Sequence, residues 1–247
     1  MAEAVAAGSG SRRVIGAVAA GSVAWDSGEV PDGLVTLFLC GDVMLGRGVD
    51  QILPHPGHPE LRERHIGDAR GYVRLAERAH GPIPQPVSFR WPWGDALPML
   101  DDMAPDVRVI NLETSITNSG EFAPGKAIHY RMSPANLPCV AAARPDACAL
   151  ANNHVLDFGP RGLADTVQAL TGAGLRPVGA GPDRETARRP VAVPVPGGRR
   201  AVIVSCGAAS AGYMRPNGPA TWPSSPSTGD PTGDTTWTRI RCASRAG

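Results

Sequence analysis

Three short apolar runs in this chain each end in polar residues, and this pattern restricts the folds that the sequence can adopt. The runs are residues 34–40, 107–112 and 146–151. A continuous apolar run of this length predicts a strand that is buried on both faces, as in a parallel sheet. Helical spacing between and after these runs is found at residues 61–79, 95–103 and 160–171. Strands that alternate with helices predict an α/β fold built on a layered sheet.

Polar side chains stand at the end of each predicted strand. Asp42 follows the first run, Glu113 follows the second, and Asn153 and His154 follow the third. Ligands of α/β sheets bind beyond the carboxyl ends of the strands, so we expect these side chains to lie near one another. Carboxylate and amide oxygens are hard ligands that suit divalent metal ions, and a histidine beside them can protonate a leaving group. The pattern predicts metal-assisted hydrolysis of a phosphoester or a related bond.

Each of these residues also has a purely structural interpretation. Asp42 after a glycine would form a turn, and Glu113 would be a solvated or helix-capping carboxylate. Asn152-Asn153 would form an Asx turn, with His154 a hydrogen-bonded surface histidine. The occurrence of all four residues in order, each at a strand end, favours a functional site over these separate explanations.

Charge and hydropathy exclude several other classes of protein. The 24 basic and 23 acidic residues give a net charge of +1, which does not favour binding to nucleic acid. No apolar stretch approaches the length of a membrane-spanning helix. Residues 14–25 are mildly apolar and follow two arginines, so they fit either a flexible leader or, less well, a signal peptide. We therefore expect a flexible leader at 1–32, one domain at 33–210, and a tail at 211–247 that is rich in Gly, Pro, Ser and Thr.

The motifs at the strand ends resemble a known family. They are residues 41–47 (GDVMLGR), 111–113 (NLE) and 151–159 (ANNHVLDFG), with support from 128–133 (IHYRMS). This part of the chain is similar to the capsule-synthesis CapA family, also called the poly-γ-glutamate capsule biosynthesis family, which resembles the calcineurin-like metallophosphoesterases. The resemblance implies an α/β sheet sandwich of the metallophosphoesterase type. It also implies a hydrolase that acts on a capsule polymer or a phosphorylated small substrate, together with capsule-synthesis membrane proteins.

The same resemblance implies a metal site. Asp42 would bind the metal from the first strand, Glu113 would bridge or ligate from the second, and Asn153 would add an amide oxygen. The ion would be divalent: Mn, Mg, Fe or Zn. No nucleic acid partner is implied, and the protein would be cytoplasmic or associated with the cell envelope.

Three further residues take roles near that metal site. His154 would be the acid, or the residue that stabilises the transition state. Asp157 would orient His154 or the following loop. Arg47 would face the pocket and hold an anionic group of the substrate.

The histidine content departs from the family pattern. All six histidines lie at or before His154, whereas such proteins carry later histidines that complete the metal site. The resemblance ends near Ala208, so we expect a truncated fold, a weakened or inactive hydrolase, and a tail that is disordered or arises from a frame shift. Two alternatives remain open: a non-catalytic capsule-assembly subunit that binds its partners through the same fold, or an inactive fragment.

Overall fold

The computed structural model describes residues 34–207 and the backbone of strand residues 236–243. The predicted leader at 1–32 and most of the predicted tail at 211–247 lie outside the described residues. Within these described ranges, the helices are all too short or too polar to cross a membrane.

The described elements alternate between strands and helices, as the sequence predicts. The strands are β1 Leu37–Val43, β2 Val107–Leu112, β3 Ser115–Ile116, β4 Arg131–Met132, β5 Ala147–Ala149, β6 Pro177–Val178, β7 Val191–Val195, β8 Arg199–Gly207 and β9 Thr236–Ala243. The helices are α1 Arg47–Ile52, α2 Arg70–His80, α3 Ala96–Met103, α4 Pro138–Ala141, α5 Gly159–Gly172 and α6 Arg184–Arg188. Short 3₁₀ turns occur at Trp91–Trp93 and Pro134–Asn136.

The central sheet is parallel, with the strand order β1-β2-β5-β6. Alternate residues of β2 enter two different cores because successive side chains of a strand point to opposite faces. Val107 and Val109 pack with Val193 of β7, whereas Ile110 packs with Leu163 of α5. The α/β class is therefore confirmed, with one sheet face against helices and the other against the antiparallel sheet β7-β8-β9.

Two local predictions need correction. β1 continues through Val43, so Asp42 lies inside the strand, next to an irregularity in the register between Cys40 and Asp42, and not in a loop after it. The helix predicted at 61–79 begins only at Arg70. Residues before it instead form an isolated antiparallel bridge between Glu60 and Asp68. The Asp68 carboxylate accepts the backbone N–H of Arg70 at 2.9 Å, which satisfies a donor in the first turn of the helix.

Part of the expected tail is a strand. β9 pairs antiparallel with β8 from Thr236 opposite Gly207 to Ala243 opposite Arg200. Its sequence, TWTRIRCA, is rich in the β-branched and aromatic residues that favour strands. The low-complexity composition of the preceding residues obscured this short favourable segment.

The cysteines differ in burial, and this predicts their reactivity. Burial raises the pKa of Cys139 and of Cys148 to about 12, and both side chains are fully buried. Cys206 is exposed. Because the thiolate is the reactive form, iodoacetamide at pH 8 should label Cys206 before Cys139 and Cys148, as peptide mass mapping would show. Equal labelling in urea is the control, and equally fast labelling of Cys148 in the folded protein would contradict the described core.

Candidate functional site

The ends of β1 and β2 are joined by a side-chain network. Asp42 pairs with Asn111 in the strand register, and the Asn111 Nδ2 donates to Asp42 Oδ1 at 2.7 Å. The Asn152 Nδ2 in turn donates to Asn111 Oδ1 at 3.1 Å. The Asp42 carboxylate is thereby connected, through two amide side chains, to the turn that follows β5.

Asn152 shapes that turn. Its Oδ1 accepts the backbone N–H of His154 at 3.0 Å, which is the hydrogen bond of an Asx turn. Its Nδ2 also donates to the carbonyl of Leu112 at 3.0 Å, so the turn is held against the end of β2. The Asx turn is therefore part of the candidate functional site, because it directs His154 toward Glu113.

His154 and Asp157 form a buried pair. His154 Nδ1 lies 2.7 Å from Asp157 Oδ2, and the two residues are 6% and 0% exposed. Since an ionised carboxylate only accepts hydrogen bonds, Nδ1 carries the proton in this pair. The other ring nitrogen, Nε2, lies 3.9 Å from Glu113 Oε1. This nitrogen is therefore the one directed toward the predicted metal-binding carboxylate.

The Asp157 carboxylate has further partners from the segment before β4. Its Oδ1 accepts a hydrogen bond from Lys126 Nζ, and its Oδ2 accepts the backbone N–H of Tyr130 at 2.6 Å. The Asp157 carbonyl also accepts the N–H of Ala123 at 2.8 Å. One buried aspartate thus holds both the histidine and the segment that covers it.

An alternating stack of aromatic and cationic groups lies beside His154. The Tyr130 ring stacks on the His154 ring with their centroids 3.9 Å apart. The Arg47 guanidinium lies over Tyr130 at 4.7 Å and over Tyr72 at 4.9 Å, and its Nε pairs with Glu63 at 2.7 Å. Burial is the main cause that raises the pKa of Tyr130, so its phenol stays neutral at physiological pH.

Arg47 is a predicted site residue in an unusual backbone conformation. Its φ of 49° lies in the left-handed region, which bulky residues seldom adopt and which is common near functional sites. The preceding Gly46 has no room for a side chain, because a Cβ there would meet the carbonyl of Arg131 at 2.7 Å. The structure therefore holds the Arg47 guanidinium between two tyrosine rings, and contact with an anionic substrate group stays a prediction.

The predicted metal ligands do not form a complete centre. In the described part of the chain, no three His, Cys, Asp or Glu side chains lie close enough together to hold an ion. Asp42 and Glu113 are separate carboxylates at neighbouring strand ends, and Asn153 is half-buried with its carbonyl accepting Lys126 Nζ at 2.6 Å. The ligand types fit a hard ion, but their number does not fit a tight site.

Several residues of this site were not predicted from the sequence. Lys126 and Tyr130 contact the His154–Asp157 pair although neither follows an apolar run. Asn111 and Asn152 belong to the motifs that were noted, but their connecting role depends on strand register. Lys126 did carry one signal, since it is the only lysine among the 24 basic residues.

Comparison with known proteins adds a family description. The model of a family described as "Bacterial capsule synthesis protein PGA_cap" matches residues 36–241. The match extends beyond Ala208, where we expected the resemblance to end. Proteins from two strains of Mycobacterium tuberculosis, each named a probable polyglutamine synthesis accessory protein, are 61% identical over 182 residues. The alignment covers 74% of this chain and 48% of each relative, so the chain spans about half the length of the curated relatives it matches.

Proposed function

This chain belongs to the PGA_cap family of bacterial capsule synthesis proteins, and we propose that its domain hydrolyses a phosphoester or related bond during the synthesis of a capsule polymer. The observation that supports this most is the buried His154–Asp157 pair, whose second ring nitrogen is directed at Glu113. The substrate would be the polymer, of poly-γ-glutamate or polysaccharide, or a phosphorylated small molecule. Membrane proteins of capsule synthesis would be its partners, and its place would be the cytoplasm or the cell envelope.

His154 would transfer a proton in this reaction. Asp157 holds Nδ1 in its protonated form, so Nε2 is the nitrogen that exchanges a proton with the substrate. Glu113 is close enough to attract a proton on Nε2 electrostatically, but at 3.9 Å it does not form a hydrogen bond with it. A leaving oxygen placed near Nε2 would receive a proton from the doubly protonated imidazolium, while water attacks the ester, and the ring would return to the neutral form that keeps its proton on Nδ1.

The packing of the central sheet against helices on one face and an antiparallel sheet on the other supports a layered sandwich of the metallophosphoesterase type. In that arrangement Asp42, Glu113 and Asn153 would bind a divalent ion. Because these three ligands do not complete a centre in the described residues, we infer weak binding, and no step of the proposed proton transfer depends on the ion.

A titration of the purified protein with Mn²⁺ and Mg²⁺ tests this proposal. We expect dissociation constants above roughly 10⁻⁴ M, as for sites with few protein ligands. We also expect slow hydrolysis of a general phosphodiester or phosphomonoester that increases with added metal. Asp42→Asn should weaken metal binding further, whereas Asp102→Asn, an exposed aspartate of α3, should not change it. A complete absence of turnover with every metal would contradict the hydrolase proposal.

The incomplete ligand set also favours a second candidate function. A non-catalytic subunit of capsule assembly would keep the fold as a binding surface and would need no metal. It would bind a poly-γ-glutamate or polysaccharide fragment with the same affinity in EDTA as in Mn²⁺, and it would show no hydrolysis. Metal-dependent turnover that is lost in Asp42→Asn would support the hydrolase and contradict the non-catalytic subunit.

A further inference from the structure

We propose that Lys126 is a positioning residue that aligns the His154–Asp157 pair, and this inference rests on the function proposed above for His154. The lysine acts through Asp157 and does not contact the imidazole itself in the described structure. Its side chain is 17% exposed, and its ammonium reaches the fully buried carboxylate from the segment before β4.

The first step of the argument concerns charge. Asp157 is 0% exposed, and a buried carboxylate is stable as an anion only when cations and hydrogen-bond donors compensate the lost solvation. Lys126 supplies a full positive charge at Oδ1. Since Oδ2 is taken by the His154 ring and the Tyr130 N–H, the lysine compensates the oxygen that these two donors do not reach.

The second step concerns geometry. A carboxylate is planar, so partners on both oxygens fix its rotation about the Cβ–Cγ bond. Lys126 also donates to the carbonyl of Asn153 at 2.6 Å, next to His154 in the chain. One ammonium therefore holds the backbone before the imidazole and also the carboxylate that accepts the hydrogen bond from Nδ1. Without it, the carboxylate would be held only through Oδ2, and the imidazole would lose part of the alignment that directs Nε2 at Glu113.

The third step concerns the type of residue. All the other basic residues of this chain are arginines. An ammonium is a compact group with three donors, whereas a guanidinium is a wide planar fork. Lys126 donates to a side chain and to a backbone carbonyl at one point, which a small head group can do in a confined space. The only lysine of the chain therefore lies at a position where a compact ammonium fits better than a wide guanidinium.

The closing experiment compares Lys126→Met, Lys126→Gln and Lys126→Arg with the wild type, and uses Arg161→Met as a matched control. Arg161 is an exposed residue of α5, so the control removes a cation without affecting the pair. The first measurement is the imidazole NMR signal of the His154 Nδ1 proton, assigned by its loss in His154→Ala. The second is kcat and KM for the ester whose hydrolysis is metal-stimulated.

In Lys126→Met we expect the Nδ1 proton signal to shift or broaden and kcat to fall about 10²-fold, as for a misplaced catalytic group, with KM changed little. Lys126→Arg should recover part of both, and Arg161→Met should resemble the wild type. If Lys126→Met does not fold, the same measurements are made on Lys126→Gln. An unchanged Nδ1 signal and an unchanged kcat in a folded Lys126 variant would overturn the proposal. If the wild type shows no turnover, the hydrolase proposal fails, and the NMR signal alone decides whether Lys126 aligns the pair.

Discussion

Replacing His154 with alanine is expected to lower kcat for ester hydrolysis by about 10²–10⁴-fold, the usual contribution of a general acid or base. The reason is that the imidazole is the group in the described site that a buried carboxylate orients and whose second ring nitrogen is directed at Glu113. KM should change little, because the proton is transferred only as the bond breaks. Steady-state kinetics on the metal-supplemented protein measure both values.

His80→Ala is the matched control for that variant. His80 is exposed at the end of α2, so its loss should leave kcat unchanged. Circular dichroism should show that both variants keep their secondary structure. A His154→Ala protein that is folded and retains full activity would assign the hydrolysis to another group or to a contaminant.

The main sheet could be predicted from the sequence because its strands are apolar runs with clear ends. β2 was predicted with the bounds that the structure has, since Val107–Leu112 is buried on both faces and bounded by polar residues. The helix at 61–79 was predicted too long because the apolar spacing of its first half also fits a bridged loop. Asp42 was predicted to follow β1 but lies within it, because an irregular strand register has no signature in the amino-acid composition.

The candidate site could be predicted only in part. Residues that follow strands were found, because the topology of a parallel sheet brings strand ends to one edge. Lys126 and Tyr130 could not be found in this way, since they lie 31 and 27 residues before the Asp157 carboxylate that they contact. Their position depends on how the irregular segment before β4 folds back, which no local pattern determines. The same holds for Tyr72, which meets Arg47 only through tertiary packing.

The chain spans about half the length of its curated relatives, and this matters for the proposal that it binds a metal ion. Family membership is shown by a match to residues 36–241, whereas the curated relatives are about twice the aligned length. The described residues do not by themselves supply a complete set of metal ligands. In the function proposed above, the proton transfer is assigned to the His154–Asp157 pair with its lysine and tyrosine, and not to a metal ion. Metal affinity and imidazole alignment are therefore separate properties of this domain and can be measured separately.

The largest loss of stability is expected from Asp50→Ala. Asp50 is 2% exposed, and its carboxylate accepts the N–H of Gly57 at 2.7 Å, the N–H of Ser133 at 2.9 Å and the Asn136 Nδ2 at 2.7 Å. Alanine would leave the N–H groups of Gly57 and Ser133 without their acceptor, at about 1–3 kcal/mol for each donor that water does not reach, and the Asn136 Nδ2 would keep its bond to the His55 carbonyl at 3.0 Å. We expect the free energy of unfolding to fall by about 3–4 kcal/mol, and Tm to fall by roughly 10 °C. Urea unfolding monitored by tryptophan fluorescence measures the change.

Asp50→Asn tests whether the acceptors, and not the size of the side chain, cause that loss. Asparagine keeps one acceptor oxygen but presents an amide to the remaining donors, so about half of the destabilisation should persist. The exposed Asp102→Ala should change stability by less than about 0.5 kcal/mol.

Since Asp50 joins α1 to the residues after β4, its loss should also loosen Arg47 against Tyr130, and kcat should fall in variants that remain folded. An Asp50→Ala protein as stable as the wild type would show that this carboxylate does not hold α1 in place.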